Sequence, residues 1–155
     1  QAIYTAPMHT LALVQGRCVG AGAAIIAACH RRVATADSSF RVPGLQFGIV
    51  LGTRRLAALI GSDAARDILQ TSRVFDAEHA KSCGLLTDVC ASDDWPALVT
   101  QAAADAAVLD DDARHALLQQ SRDDRHLDQD MAALVRSASH PGLAQRIAAY
   151  LASLK

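Results

Sequence analysis

Apolar positions fall into short runs in the first part of the chain and into helical stripes in the second. HTLALVQG at 9–16 is a short apolar run bounded by polar and turn residues, which is typical of a buried strand. GAGAAIIAACH at 20–30 predicts a tightly packed helix, because glycine and alanine let neighbouring backbones approach closely. The segment 31–42 contains two strand candidates around a polar turn, and PGLQFG at 43–48 predicts a loop.

From about Thr53 the spacing of apolar residues becomes helical. TRRLAALIG has an apolar stripe and predicts a helix that ends at Gly61, a residue type favoured at helix C-termini. SDAARDILQT predicts the next helix, with Ser62 or Asp63 as its N-cap. Asp76 is the predicted cap of a short helix that follows, AEHAKSC.

The remainder of the chain is predicted to be one more strand followed only by helices. LLTDVC at 85–90 is the strand candidate, and the acidic residues 110–112 predict the start of a helix within the last part. We therefore expect a mixed α/β core over 1–91 and a helical region over 92–155 that serves packing or oligomerisation.

Composition narrows the class of protein. The chain has 155 residues, 51% of them hydrophobic and 20% charged, and a net charge of −1, which favours a folded domain over a disordered one. Without a basic block, nothing favours nucleic acid as a partner. No uncharged apolar run approaches the about 20 residues that a membrane helix needs. The four cysteines form no Cys-x-x-Cys pair or zinc-like spacing, so we expect no metal site and a cytoplasmic location.

The closely spaced glycines after the first strand allow two interpretations from the residues alone. Gly20 and Gly22 fit the first two positions of the dinucleotide motif G-x-G-x-x-G, but Ile25 stands at the third. No acid follows at the distance needed for a ribose hydroxyl, which disfavours a nucleotide site. The alternative is a turn whose small residues serve only the close packing of a helix.

The order of motifs over roughly residues 9 to 90 resembles the crotonase family of enoyl-CoA hydratases and isomerases. The shared features are the apolar strand, the glycine turn into a helix, a residue pair after that helix (here Cys29-His30), a proline loop (here Pro43-Gly44) and a G-x-x-R-L helix. This resemblance implies an α/β fold with the family's spiral core. It also implies that an N-terminal part of that core is missing from this sequence.

The resemblance implies a coenzyme A thioester as substrate rather than a separate cofactor. Family members hold the thioester oxygen between two backbone N–H groups, and the donor after the glycine turn matches Ala21. Gly20, Gly22, Gly44 and Gln46 are the implied substrate-binding residues. The second donor has no counterpart here and belongs to the part that we expect to be missing. The family's assembly implies a homotrimer or a pair of trimers.

The family's two hydratase glutamates are absent from this chain. Ala24 and Gly44 occupy the matching positions, and each lost acid/base group removes a rate factor of about 10² to 10⁴. Two-glutamate hydration is therefore not expected. Three interpretations stay open: an enzyme that stabilises an enolate, a non-catalytic homologue that binds acyl-CoA or serves structure, and an interaction module built on the helical region. His30 is predicted to cap or pack, and Cys18 to fill space.

Overall fold

The computed structural model describes residues 1–154, and its strands form two sheets of three strands each. The strands are β1 (Leu11–Val14), β2 (Arg17–Val19), β3 (Arg31–Ala34), β4 (Ser39–Arg41), β5 (Phe75–Asp76) and β6 (Asp88–Val89). The first sheet has the order β1-β3-β6 and is parallel throughout. In the second, β2 is parallel to β4, and β4 is antiparallel to β5.

Helices surround these sheets and make up nearly all of the chain after β6. They are α1 (Ala21–Ile26), α2 (Thr53–Ile60), α3 (Ser62–Thr71), α4 (Ala77–Ser82), α5 (Trp95–Ala106), α6 (Asp111–Gln120), α7 (Leu127–Ala138) and α8 (Leu143–Ala152). Two 3-10 turns cover Gly44–Phe47 and Ser92–Asp94. None of the helices formed by residues 1–154 is long and apolar enough to cross a membrane.

The chain winds so that each turn adds one strand to each sheet. β1 and β2 are followed by α1, after which β3 pairs with β1 and β4 pairs with β2. The space between sheets and helices is filled by Val33, Phe40, Ile68 and Leu85, all fully buried. This repeated winding is the spiral α/β core that the sequence predicts.

Several predicted helix ends are confirmed. Gly61 ends α2 with a φ of 83°, and the Asp76 carboxylate accepts a hydrogen bond of 2.8 Å from the His79 N–H at the start of α4. The prediction of Ser62 or Asp63 as the cap of α3 is wrong. Gly61 takes that place as well, so that α3 begins directly at Ser62 without a side-chain cap.

The helix predicted over 20–30 is shorter than expected. α1 ends at Ile26, because the amides of Ala28 and Cys29 bond to carbonyls only three residues back and tighten the chain into a turn. β2 was not predicted, since its three residues lie in a segment that the sequence pattern assigns to the turn. The division into 1–91 and 92–155 stays a prediction.

Candidate functional site

A glycine turn places the start of α1 at the end of β4. Gly20 has φ 60° and ψ −114°, a backbone conformation that is accessible almost only to glycine. Its N–H donates a hydrogen bond of 2.9 Å to the carbonyl of Arg41, the last residue of β4. The turn therefore fixes the position at which α1 begins.

The first N–H groups of α1 have no acceptor within the helix. The Gly20 carbonyl accepts only from Ala24, at 3.4 Å, and the Ala21 N–H has no backbone acceptor within residues 1–154. Ala21 is exposed and carries no large side chain that could cover this donor. Free N–H groups at the start of a helix favour a negative charge or a carbonyl oxygen close to that end of the helix.

A partly enclosed cavity of about 190 Å³ is lined by Ala21. The loop between β4 and α2 forms most of its wall, and the glycine turn, the first residue of α2 and Leu69 of α3 contribute the rest. The lining is hydrocarbon and backbone apart from Thr53, whose hydroxyl oxygen is itself buried. The lining residues are Gly20, Ala21, Val42, Gly44, Leu45, Phe47, Ile49, Leu51, Thr53 and Leu69.

The same loop closes over both positions at which the family carries a glutamate. A Cβ atom added to Gly44 would lie 3.0 Å from the carbonyl oxygen of Ile49. A Cβ atom added to Gly52 would lie 3.2 Å from the Cβ of Ala24. The loop thus packs closely against both positions, at Gly44 through Ile49 and at Ala24 through Gly52, and leaves little space for a carboxylate side chain at either.

The C-terminal helices hold this loop through its backbone. Arg146 of α8 donates a hydrogen bond of 2.9 Å to the carbonyl of Phe47. The Val50 N–H donates to the hydroxyl of Ser137 in α7, at 3.1 Å. The rings of Phe47 and Tyr150 are in contact, with centroids 5.4 Å apart. The helical region therefore shapes the cavity, although none of its residues lines it.

The structure brings together three of the five residues predicted for the site. Gly20, Ala21 and Gly44 all line the cavity. Gly22 lies on the other side of the turn, where a Cβ would come within 3.1 Å of the Cys18 sulfur, so its lack of a side chain serves helix packing. Gln46 is exposed and lines an adjoining, more open groove of about 420 Å³, which shares Leu45, Thr53 and Leu69 with the cavity.

His30 does not line this cavity and packs against Thr10 instead. Its Nδ1 accepts a hydrogen bond of 3.1 Å from the Thr10 N–H and lies 2.7 Å from the Thr10 hydroxyl. Burial lowers the pKa of His30 below its usual 6.5, and the charges of His9, Arg32 and Arg122 lower it further. His30 is therefore a neutral packing residue, as predicted.

No side chain suited to proton transfer lines the cavity formed within residues 1–154. Burial raises the pKa of the Cys18 thiol to about 11, so it is not a nucleophile near neutral pH. Nor does this described part of the chain hold a group of three or more His, Cys, Asp or Glu residues placed to bind a metal ion.

A larger groove of about 880 Å³ runs between α2, α3 and α7, and it is more open than the cavity. Its Arg54 side chain is paired with Asp130 at 3.0 Å. The neighbouring Arg55 lies outside the groove and stacks on the ring of Tyr4, 4.1 Å from its centroid. These contacts tie the N-terminal segment and α7 to α2, and they satisfy Arg54 without a ligand.

The family resemblance implies a pocket wall around Gln46 to Gly52, but sequence analysis did not single out the apolar residues of that range that line the cavity. Phe47, Ile49 and Leu51 alternate with residues that do not line the cavity. They belong to a segment that the sequence predicts to be a loop, because it contains Pro43 and several glycines. An apolar run in a loop is unusual, because loops generally lie on the surface. That run was the available signal for a buried wall.

Comparison with known proteins identifies the relatives of this chain. The sequence profile of the family described as enoyl-CoA hydratase/isomerase matches residues 1–145. A Bordetella parapertussis protein assigned as an enoyl-CoA hydratase/isomerase has 45% sequence identity and a TM-score of 0.89, over 97% of this chain and 62% of its own. The enoyl-CoA hydratase of Bacillus halodurans shares the fold, with 23% identity and a TM-score of 0.81, over 95% of this chain and 62% of its own.

A third structure, an enoyl-CoA hydratase/isomerase from Pseudoalteromonas atlantica, matches with 22% identity and a TM-score of 0.77. It covers 98% of this chain, and the chain spans 64% of that protein's length. The profile match extends over most of the residues, and the solved structures share the fold. The chain belongs to the enoyl-CoA hydratase/isomerase family.

Proposed function

We propose that this chain binds an acyl-CoA thioester and stabilises its enolate form through the backbone N–H of Ala21. The observation that carries the proposal is the free N–H group of Ala21 at the start of α1, a residue that lines a partly enclosed apolar cavity. The N–H can receive the thioester oxygen, and the cavity can receive the acyl group attached to it. Coenzyme A is then part of the substrate and not a resident cofactor.

The chemistry that this donor supports is the removal of a proton next to the thioester carbonyl. As the proton leaves, negative charge develops on the thioester oxygen, and a fixed N–H donor stabilises that charge more than it stabilises the neutral carbonyl. One such donor is worth about 2.7 to 4 kcal/mol of transition-state stabilisation. The glycine turn fixes the donor in advance, so no reorganisation is needed.

Two-glutamate hydration does not fit this site, because Ala24 and Gly44 cannot transfer protons and the loop packs over both positions. Turnover requires an acid/base group from outside the cavity lining. A second function, thioester binding without turnover, is supported by the same lack of a titratable side chain.

The test is calorimetric titration of the full-length protein with acyl-CoA thioesters, with free coenzyme A as reference. Proline suits the first position of a helix, so Ala21→Pro removes the N–H with little disturbance of α1. We expect this variant to lose the added affinity for thioesters, and about 10² to 10³ in kcat if there is turnover. Ala21→Gly keeps the N–H and is the matched control. Equal thioester binding by a folded Ala21→Pro variant would refute the donor assignment.

We also propose that the protein is cytoplasmic and assembles as a homotrimer or a pair of trimers. Exposed apolar residues on the C-terminal helices support self-association, since such residues are covered at subunit interfaces. Sedimentation equilibrium tests this, and a monomer at micromolar concentration would contradict it. The residues concerned are Val99, Leu117, Met131, Val135 and Leu151.

A further inference from the structure

The cavity beside Ala21 is too small for a whole coenzyme A thioester. Pockets that enclose a drug-sized ligand measure about 300 to 1,000 Å³, whereas this cavity measures about 190 Å³. Only one end of the thioester can be buried here, and the nucleotide has to lie outside. Because the Ala21 N–H lies at the cavity wall, the buried end is the acyl group.

We propose that this chain selects an uncharged acyl group of about six to eight carbons, a limit that follows from scaling a cavity of about 150 Å³ that is filled by six-carbon benzene. The proposal rests on the proposed function and adds the class of acyl group to it. The cavity is about a quarter larger than that reference, which gives the upper end of the range.

The limit on acyl length requires walls that do not move apart, and contacts with the core and with α8 hold the walls of this cavity in place. Leu69 is 5% exposed and belongs to the core, so it does not retreat to admit a longer chain. Phe47 is fixed by the Arg146 hydrogen bond to its carbonyl and by its ring contact with Tyr150. Leu45, by contrast, is 41% exposed and can be shortened without opening the core.

The lining also determines which acyl groups are rejected. Among residues 1–154, no side chain that lines the cavity carries a charge. The lining residues carry one polar side-chain atom, the hydroxyl oxygen of Thr53, which is buried and has no hydrogen-bond partner within residues 1–154. A carboxylate at the end of the acyl chain would lose its water and could gain at most this one neutral partner, which is strongly unfavourable. Dicarboxylic acyl groups are therefore excluded.

The experiment measures the affinity of the full-length protein for thioesters of increasing length, from butanoyl-CoA to dodecanoyl-CoA, against free coenzyme A. Each buried methylene should tighten binding about fourfold until the cavity is full, after which affinity stops rising. Adipoyl-CoA is the matched probe of charge, because it has the same six carbons as hexanoyl-CoA. We expect it to bind no more tightly than free coenzyme A.

Leu45→Ala is the variant that tests the wall directly. Removal of its three outer carbons should move the point at which affinity stops rising by about two to three carbons. Leu117→Ala in α6 is the control, since this leucine is similarly exposed, at 54%, and does not line the cavity. The control should leave the length profile unchanged.

The possible results separate this inference from the proposed function. If no thioester binds more tightly than free coenzyme A, the proposed function itself fails. If thioesters do bind more tightly, but affinity is flat with length or still rises at dodecanoyl-CoA, only the size limit is refuted. Tight binding of adipoyl-CoA would refute the exclusion of charge. A Leu45→Ala profile identical to that of Leu117→Ala would show that the acyl group lies elsewhere.

Discussion

A side chain introduced at Gly44 should destabilise the protein and should not restore hydration. Its Cβ would lie 3.0 Å from the Ile49 carbonyl oxygen, whereas ordinary contacts of this kind measure 3.4 to 4 Å. The Ile49 carbonyl must therefore move. The Ile49 N–H donates to the Gly44 carbonyl at 2.8 Å, so this movement also strains the hydrogen bond that closes the turn.

The expected cost can be worked from these contacts. Overpacking of a well-filled site costs about 1 to 3 kcal/mol, and a weakened hydrogen bond adds a part of about 0.5 to 1.5 kcal/mol. Replacement of Gly44 by alanine stiffens the unfolded chain, which offsets about 0.4 to 1 kcal/mol. The net loss in the free energy of unfolding for Gly44→Ala is thus about 1 to 3 kcal/mol. Because the Cβ causes it, Gly44→Glu should lose at least as much.

Urea denaturation of Gly44→Ala, Gly44→Glu and Gln46→Glu measures these differences. Gln46 is exposed, so its substitution adds a carboxylate to the same loop without a steric conflict and should stay within about 0.5 kcal/mol of the wild type. The double variant Ala24→Glu/Gly44→Glu should hydrate crotonyl-CoA no faster than the wild type. A Gly44→Ala variant as stable as the wild type, or hydration by the double variant, would refute the inference that the loop fills the space of the glutamates.

Three further predictions concern residues that hold the core and the cavity loop in place. Arg32 is 9% exposed, and its guanidinium donates to the carbonyls of two segments, one of them at 2.7 Å. Arg32→Met should therefore lower the free energy of unfolding, measured by urea denaturation, by about 3 kcal/mol. A loss below about 1 kcal/mol would contradict this role. Burial lowers the pKa of His30, so as the pH falls the unfolded chain is protonated at a higher pH than the folded chain. The free energy of unfolding should therefore fall as pH drops below 6.5. His30→Asn keeps an acceptor for the Thr10 N–H and should show a smaller decrease over that range; identical pH profiles would refute the assignment. Arg146→Gln removes the donor to the Phe47 carbonyl and should raise the rate of amide hydrogen exchange in the loop about tenfold, measured by NMR. An unchanged rate would contradict the inference that Arg146 holds the loop in place.

The sequence by itself determined the family and most of the elements. The glycine turn, the capped helices and the apolar stripes are local signals, because helix ends and strand patterns depend on residues close together in the chain. Gly61 and Asp76 end and begin helices as predicted. The sequence also showed that both glutamates are replaced, since this requires only that Ala24 and Gly44 be aligned with the glutamate positions of the family motif.

Only the tertiary structure decided what occupies the space next to the two positions that carry glutamates in the family. The contacts of Gly44 with Ile49 and of Ala24 with Gly52 depend on the path of the loop, which residues of α7 and α8 hold from about 90 positions further along the chain. No periodicity encodes such a contact, because it joins segments whose separation is set by the fold of everything between them. For the same reason, the family resemblance implied a donor at Ala21 and a pocket wall around Gln46 to Gly52, but not the size and lining of the cavity, whose walls come from the glycine turn, the loop after β4 and α3.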